Sequence, residues 1–256
     1  MADSQSPQLD TPAMRQYRRF KEQYPDYILF FRMGDFYEMF YEDAKVASRV
    51  LGLALTSRSK GPAAVPLAGI PYHALDSYLA RLVRAGHRVA ICEQVEDAAQ
   101  AKGLVKRDVT RLITPGTLTD ETLLEQREGN YLAAVFGGGD LSPVFSGDTA
   151  RDRRQRDVVF GLAWVELSSG AFWATTAPAD HVLDELVRIR PAEVIFPEGG
   201  AMDSPDFRGA LQQVVGASAT TTRPPWAFEP HAATEALKEH FRSATLEGFG
   251  FDGWDE

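Results

Sequence analysis

The stretch Phe30 to Phe40, FFRMGDFYEMF, sets aromatic rings beside a single carboxylate directly after a Gly34-Asp35 turn signal. A turn presents whatever follows it at the edge of an element. If Phe36 to Phe40 is extended, Phe36, Glu38 and Phe40 share one face, with Tyr37 and Met39 on the other. If it is helical, Phe36 and Phe40 share a face that excludes Glu38. Two chemistries fit these residue types. One is core packing beside a solvated acid, the usual fate of aromatic residues. The other is a wedge: an apolar ring pushed into a minor groove unstacks a base step, at a cost of roughly a few kcal/mol. A mispaired step has less stacking and pairing to lose, so such a wedge prefers it.

Residue types suited to catalysis do not fall at workable spacings elsewhere. Histidines 73, 87, 181, 231 and 240 form no ligand pair at zinc spacing. Ser168-Ser169-Gly170 lacks the preceding glycine of a nucleophile elbow and reads as a hairpin turn. Gly137-Gly138-Gly139 leads into Asp-Leu-Ser-Pro, not into the Gly-Lys-Ser/Thr of a phosphate loop. The lone Cys92 excludes a disulfide framework and suits a reducing compartment. No apolar run approaches the roughly 18 residues of a membrane span, and the polar start MADSQSPQLD is unlike a signal peptide. A cytoplasmic location with no membrane contact is expected.

The elements that must position these residues follow from punctuation and periodicity. The chain has 256 residues and a net charge of −9, which by itself argues against a polyanionic partner. That total is uneven: residues 1–127 stand at +1 and residues 128–256 at −10, suggesting two modules with different partners. In the first, Thr11 and Pro12 open a helix that runs to about Tyr24, followed by a buried strand from Tyr27 to Phe31. A helix at Glu42–Leu51, a strand at Leu53–Ser57 and a Gly/Pro-rich loop at Ser59–Pro66 come next. An amphipathic helix around Leu75–Val83 and strands at His87–Gln94 and Val105–Thr114 complete a mixed α/β module. On the last strand Arg107 and Arg111 share a face opposite Lys106, and with Lys102 they read as solvated surface. In the second module, strands at Asn130–Phe136, Val158–Leu167 and Ala171–Thr176 precede a helix at Ala179–Ile189, a strand at Glu193–Phe196 and a helix at Pro230–Phe241. Three strands followed by alternating helices and strands suit an RNase H-like sheet. Trp164 and Trp173 fall on its strands and are expected in the core. Such a sheet could also be a metal-dependent nuclease, with Glu166 and Asp184 as ligands, although the first strand, NYLAAVF, supplies no carboxylate.

Four blocks carry a resemblance: Phe30 to Phe40, Pro66 to Ala74 (PLAGIPYHA), Ala90 to Gln94 (AICEQ) and Leu112 to Thr117 (LITPGT). Together, and in this order, they resemble the N-terminal part of the MutS-type DNA mismatch repair family. The similarity runs from about Thr11 to Gly250 and weakens after Gly137. It implies a mixed-sheet mismatch-recognition domain over residues 1–115, a linker over 116–129 and an RNase H-like connector over 130–256. It also implies that Phe36 stacks on the mispaired base while Glu38 hydrogen-bonds it. Phosphates and burial raise a carboxylate's pKa, and a protonated Glu38 would be able to donate. The same resemblance brings the segment of Arg58 and Lys60 toward the DNA backbone, although Ser57 stands where relatives often carry a basic residue. Gly69, in Gly69-Ile70-Pro71, lets the backbone pass close either to DNA or to the adjacent helix start. The implied partners are mismatched double-stranded DNA and, through the connector, a MutL-type protein. ATP, Mg²⁺ and dimerisation are implied only for modules absent from this sequence, so the chain is expected to be non-catalytic and either a fragment or a truncated product.

Overall fold

The computed structural model describes residues 11–57, 64–96, 103–118, 129–137, 158–216 and 219–251. It divides into two units, Met1–Asn130 and Tyr131–Glu256.

In the first unit, Thr11 caps helix α1 (Pro12–Gln23) by accepting from the Met14 N–H at 3.3 Å, and Pro12 fills a position whose N–H no helix uses. Strand β1 (Tyr27–Met33) turns through Gly34-Asp35 into β2 (Phe36–Phe40), pairing Met33 with Phe36 and Phe31 with Glu38. Of the two turn residues only Gly34 takes a positive φ, 61°, as the first position of a tight type II′ hairpin requires. The extended reading of Phe36–Phe40 is therefore the observed one. β2 passes without a loop into α2 (Tyr41–Leu51), and the corner is Tyr41 at φ 54°, which a bulky residue adopts only under constraint from its surroundings. Gly52 closes α2 in the left-handed region at φ 71°.

Two expectations change here. The strand expected at Leu53–Ser57 shrinks to β3 (Thr56–Ser57), and beyond the Gly/Pro-rich loop expected to end at Pro66 lies an unexpected strand, β4 (Pro66–Pro71). Its two prolines stand at its ends, where a missing N–H costs the ladder least. A single 3-10 turn (Tyr72–Ala74) leads into α3 (Leu75–Arg84), then β5 (Arg88–Gln94) and β6 (Arg107–Ile113). The six strands form one mixed sheet, ordered β3-β4-β2-β1-β5-β6. One face packs Phe30, Tyr37, Met39 and Ile70 against α2 and α3. The opposite face packs Leu29, Phe31, Phe40 and Ala90 under Met14, Tyr17 and Phe20 of α1.

In the second unit, β7 (Tyr131–Gly137), β8 (Val159–Glu166) and β9 (Ala171–Pro178) run antiparallel, and β8 and β9 join through the expected hairpin at Ser168-Ser169-Gly170. Helix α4 (Val182–Ile189), strand β10 (Glu193–Pro197), helix α5 (Pro205–Val215), strand β11 (Thr220–Arg223) and helix α6 (Pro230–Phe241) follow. β10 pairs parallel to β7, and β11 parallel to β10. The order β9-β8-β7-β10-β11 is the expected RNase H-like sheet. Helix α5 and strand β11 are additional to the elements that the sequence predicts. The cue for α5 repeats that of α1: Ser204 caps by accepting from the Phe207 N–H at 3.3 Å, and Pro205 follows. Strand β11, Thr-Thr-Thr-Arg, carries no apolar alternation to betray it. Trp173 also departs from expectation. It stacks on Trp164 with ring centroids 6.0 Å apart, yet lies on the edge strand and is 42% exposed.

Candidate nucleic-acid interface

The pleat of β2 separates its side chains into two populations. Tyr37 and Met39 are buried on the α2/α3 face. On the α1 face exposure falls steeply along the strand: Phe36 is 49% exposed, Glu38 is half-buried and Phe40 is fully buried. Helix α1 accounts for the gradient, since Tyr17 meets the Phe40 ring edge-on at 5.0 Å and, among the described residues, Phe36 has no such ring contact. A large apolar ring thus stands at the open end of a strand whose other end is core.

Gly69 lies across from Glu38 on β4. A Cβ built there would meet the Tyr37 carbonyl oxygen at 3.5 Å, Glu38 Cγ at 3.9 Å and Phe36 Cδ1 at 3.9 Å. The glycine therefore keeps the strip beside the ring and the carboxylate low, rather than relieving a clash. Pro71 pairs with Phe36 on the same strand. Arg58 and Lys60 lie outside the described residues.

The basic stretch behaves differently from its expectation. Arg107 is buried at 4% exposure, its guanidinium 4.9 Å from the centre of the Phe31 ring. Its Nε donates to the Arg32 carbonyl at 2.7 Å, and Nη1 to Gln16 Oε1 at 3.1 Å and the Val105 carbonyl at 3.0 Å. Burial pulls its pKa down, an effect partly opposed by Cys92 and by the carboxylate of Glu38. Arg111 is exposed and does not share its face. Ile91 pairs with Arg111 and Cys92 with Val109, so Thr110 is an extra residue, and this bulge inverts the alternation between the two arginines. Lys106 is exposed and Lys102 lies outside the described residues.

Behind β2, the Tyr37 hydroxyl donates to Glu93 Oε1. Burial, reinforced by Glu93, pushes the phenol up to about 12. A folded state that keeps a proton the unfolded chain releases near 10.0 loses stability as pH rises from about 10 toward 12, and retains the contribution in full below 10. Tyr17 and Cys92, also raised by burial, act in the same direction. Urea unfolding of Tyr37→Phe should show a shallower alkaline loss than the parent, by on the order of 2 kcal/mol between pH 10 and 12. Equal slopes would remove Tyr37 from the account.

The nuclease alternative gains no support. Glu166 accepts from Ser169 Oγ at 2.7 Å within the exposed hairpin, and Asp184 is exposed in the first turn of α4 beside His181. Among the described residues, no three His, Cys, Asp or Glu side chains gather where they could hold a metal ion.

Comparison with known proteins bears on both units. The family model described as MutS domain I matches residues 11–122, and that described as MutS domain II matches residues 130–256. The chain belongs to the MutS family. Among its relatives, the DNA mismatch repair protein MutS of Rhodopirellula baltica is 47% identical over 255 residues, covering 94% of this chain and 27% of the relative. That of Pelotomaculum thermopropionicum is 45% identical over 235 residues, covering 90% of this chain and 25% of the relative. The chain thus spans about a quarter of the length of these curated relatives.

The four sequence blocks that resemble the MutS family fall on adjacent strands: β1 and β2, then β4 with its 3-10 turn, β5, and the end of β6. Arg32, Tyr72, Glu93 and the buried role of Arg107 are apparent only in the folded chain. Arg32, Tyr72 and Glu93 lie inside those blocks, so the signal was present without a spatial meaning.

Proposed function

We propose that the first unit reads mispaired double-stranded DNA, with Phe36 entering the minor groove as the wedge and Glu38 hydrogen-bonding the displaced base. The observation that carries this reading is the exposure of Phe36 at 49%, on a strand whose fourth-neighbour Phe40 is fully buried on the same face. An apolar ring of that size at the end of an ordered hairpin, beside a half-buried carboxylate, offers an unstacked base a face to stack on. Gly69 supports it by leaving a low strip next to Phe36 and Glu38, along which a groove edge can approach. Arg58 and Lys60 are proposed as phosphate contacts.

Glu38 acts as the discriminator. A carboxylate near phosphates opposes every duplex and is compensated only where a mispaired base offers it a hydrogen bond. Fluorescence-anisotropy titrations with duplexes that differ by one mispair test this. Glu38→Ala should raise affinity for the matched duplex about 2- to 10-fold, with a smaller gain or a loss on the mispaired one, given the roughly 1.5–3 kcal/mol typical of hydrogen bonds to charged groups. A uniform change on both duplexes would reduce Glu38 to a general repulsive charge.

The acidic second unit is proposed as a connector that docks a MutL-type protein rather than DNA. Both relatives are named as DNA mismatch repair proteins, which supports the same role for this chain. Nucleotide binding and dimerisation are assigned to parts of the family's longer proteins that this chain does not cover. Among the described residues no helix is long and apolar enough to cross a membrane, and a cytoplasmic location is proposed.

A further inference from the structure

Arg32 lies on the opposite face of the sheet from Phe36, paired in register with Tyr37. Its guanidinium carbon sits 4.1 Å from the centre of the Tyr72 ring and 5.4 Å from that of Tyr37. Nη1 lies 3.7 Å from Glu93 Oε2, while the other oxygen of the same carboxylate accepts from Tyr37. Nε bonds back to the carbonyl of Gly34. Tyr72 completes the arrangement, its backbone N–H donating to the Asp35 carbonyl at 2.9 Å. The Gly34 carbonyl is thus held by the Arg32 side chain, and the Asp35 carbonyl by the backbone N–H that follows β4.

We propose that Arg32 is a positioning residue that clamps the Gly34-Asp35 turn and so presets the Phe36 ring for entry into a mispaired step. The inference rests on the wedge reading above and adds a specificity determinant that does not itself touch DNA. Its physical basis is preorganisation. Forcing base pairs apart pushes back on the hairpin tip, and a tip that must be ordered during binding spends affinity on lost freedom. The planar fork of arginine engages two aromatic faces, a carboxylate and a carbonyl at once. A lysine ammonium retains the charge but has neither the plane nor the second direction.

The test uses the 256-residue chain with Arg32→Lys, Arg32→Ala and Tyr72→Ala; Tyr72 is 45% exposed, so its ring is lost at little cost to the core. Hydrogen exchange of the Asp35 and Phe36 amides reads the clamp without DNA. Arg32→Lys should exchange at least 5-fold faster there while the α1 and β5 amides keep their protection. Unchanged exchange at the turn overturns the proposal. Anisotropy with mispaired and matched duplexes then reads its consequence. Arg32→Lys and Arg32→Ala should both cut the mispaired-to-matched affinity ratio about 5- to 20-fold, and Tyr72→Ala about 3-fold. If Arg32→Lys keeps the parent ratio while Arg32→Ala weakens both duplexes alike, Arg32 is a plain positive charge and the clamp is refuted. Phe36→Ala runs in parallel: an unchanged ratio there sinks the wedge reading itself, whereas a collapsed ratio there with normal Arg32 variants sinks only the clamp.

Discussion

Replacing Phe36 with alanine should erase most of the chain's preference for a mispaired duplex while leaving its binding to a matched duplex within about 3-fold. Stacking an aromatic side chain on a base is worth about 1–3 kcal/mol by alanine substitution, which corresponds to roughly 5- to 150-fold in affinity for the mispaired site. The loss should be selective because the ring gains its energy only where a step can open. It should also be separable from folding. Phe36 is 49% exposed and contributes little to the α1-face core, which is built on Phe31, Phe40 and Tyr17. Phe36→Leu sharpens the experiment: it keeps an apolar wedge without a π-face, and should recover part of the kinking affinity but not the stacking. Anisotropy titrations on both duplexes, with far-UV circular dichroism to verify the fold, decide the matter. A mispair preference that survives Phe36→Ala would refute the wedge. The salt dependence should be shallow in every variant, since residues 1–127 carry a net charge of only +1 and few counterions can be released.

The largest effect on stability is expected at Asp43. It is 6% exposed on α2 and accepts from three directions: the Tyr17 hydroxyl at 3.0 Å, the Lys21 ammonium at 2.8 Å and the Leu29 backbone N–H at 3.1 Å. One carboxylate thus joins α1, α2 and β1, and its removal strands a hydroxyl, a partly buried cation and a strand N–H together. Breaking a buried pair by deleting one partner costs about 3–5 kcal/mol, and Asp43→Ala should lie in that range. Asp43→Asn keeps an acceptor oxygen and should lose less. The sequence supplies a clean readout, because all four tryptophans lie in residues 131–256. Tryptophan fluorescence therefore follows the second unit alone, while circular dichroism follows both. Asp43→Ala should move the urea midpoint of the circular-dichroism transition belonging to the first unit and leave the tryptophan transition in place. A parent-like midpoint would show that the three donors find water instead.

How much of this was legible beforehand depended on the range of the interactions involved. The helix starts at Thr11-Pro12 and the hairpins at Gly34-Asp35 and Ser168-Ser169-Gly170 are local chemistry, and all appear where the residues place them. Strand β4 was hidden because Pro66 and Pro71 signal turns, and only pairing with β2 and β3 shows them to be strand ends. The shared face expected for Arg107 and Arg111 failed for a related reason. A bulge at Thr110 is a property of β5 and β6 together, and one extra residue inverts every side chain beyond it.

By itself, the sequence determined the partition of β2. Alternation at period 2 is intrinsic to an extended chain, so Phe36 and Glu38 had to share a face once the segment was a strand. Which end of that face would be open was decided by tertiary structure alone. Helix α1 covers Phe40 and stops short of Phe36, and the extent of that cover is set by helix-on-sheet packing, not by any residue of β2. The same holds for the group behind the turn. Arg32, Tyr72 and Glu93 are spread over more than sixty positions, and they meet because β1, β2, β4 and β5 are neighbours in one sheet. Spacing along the chain carries no information about such a meeting; hydrogen-bonded strand order does.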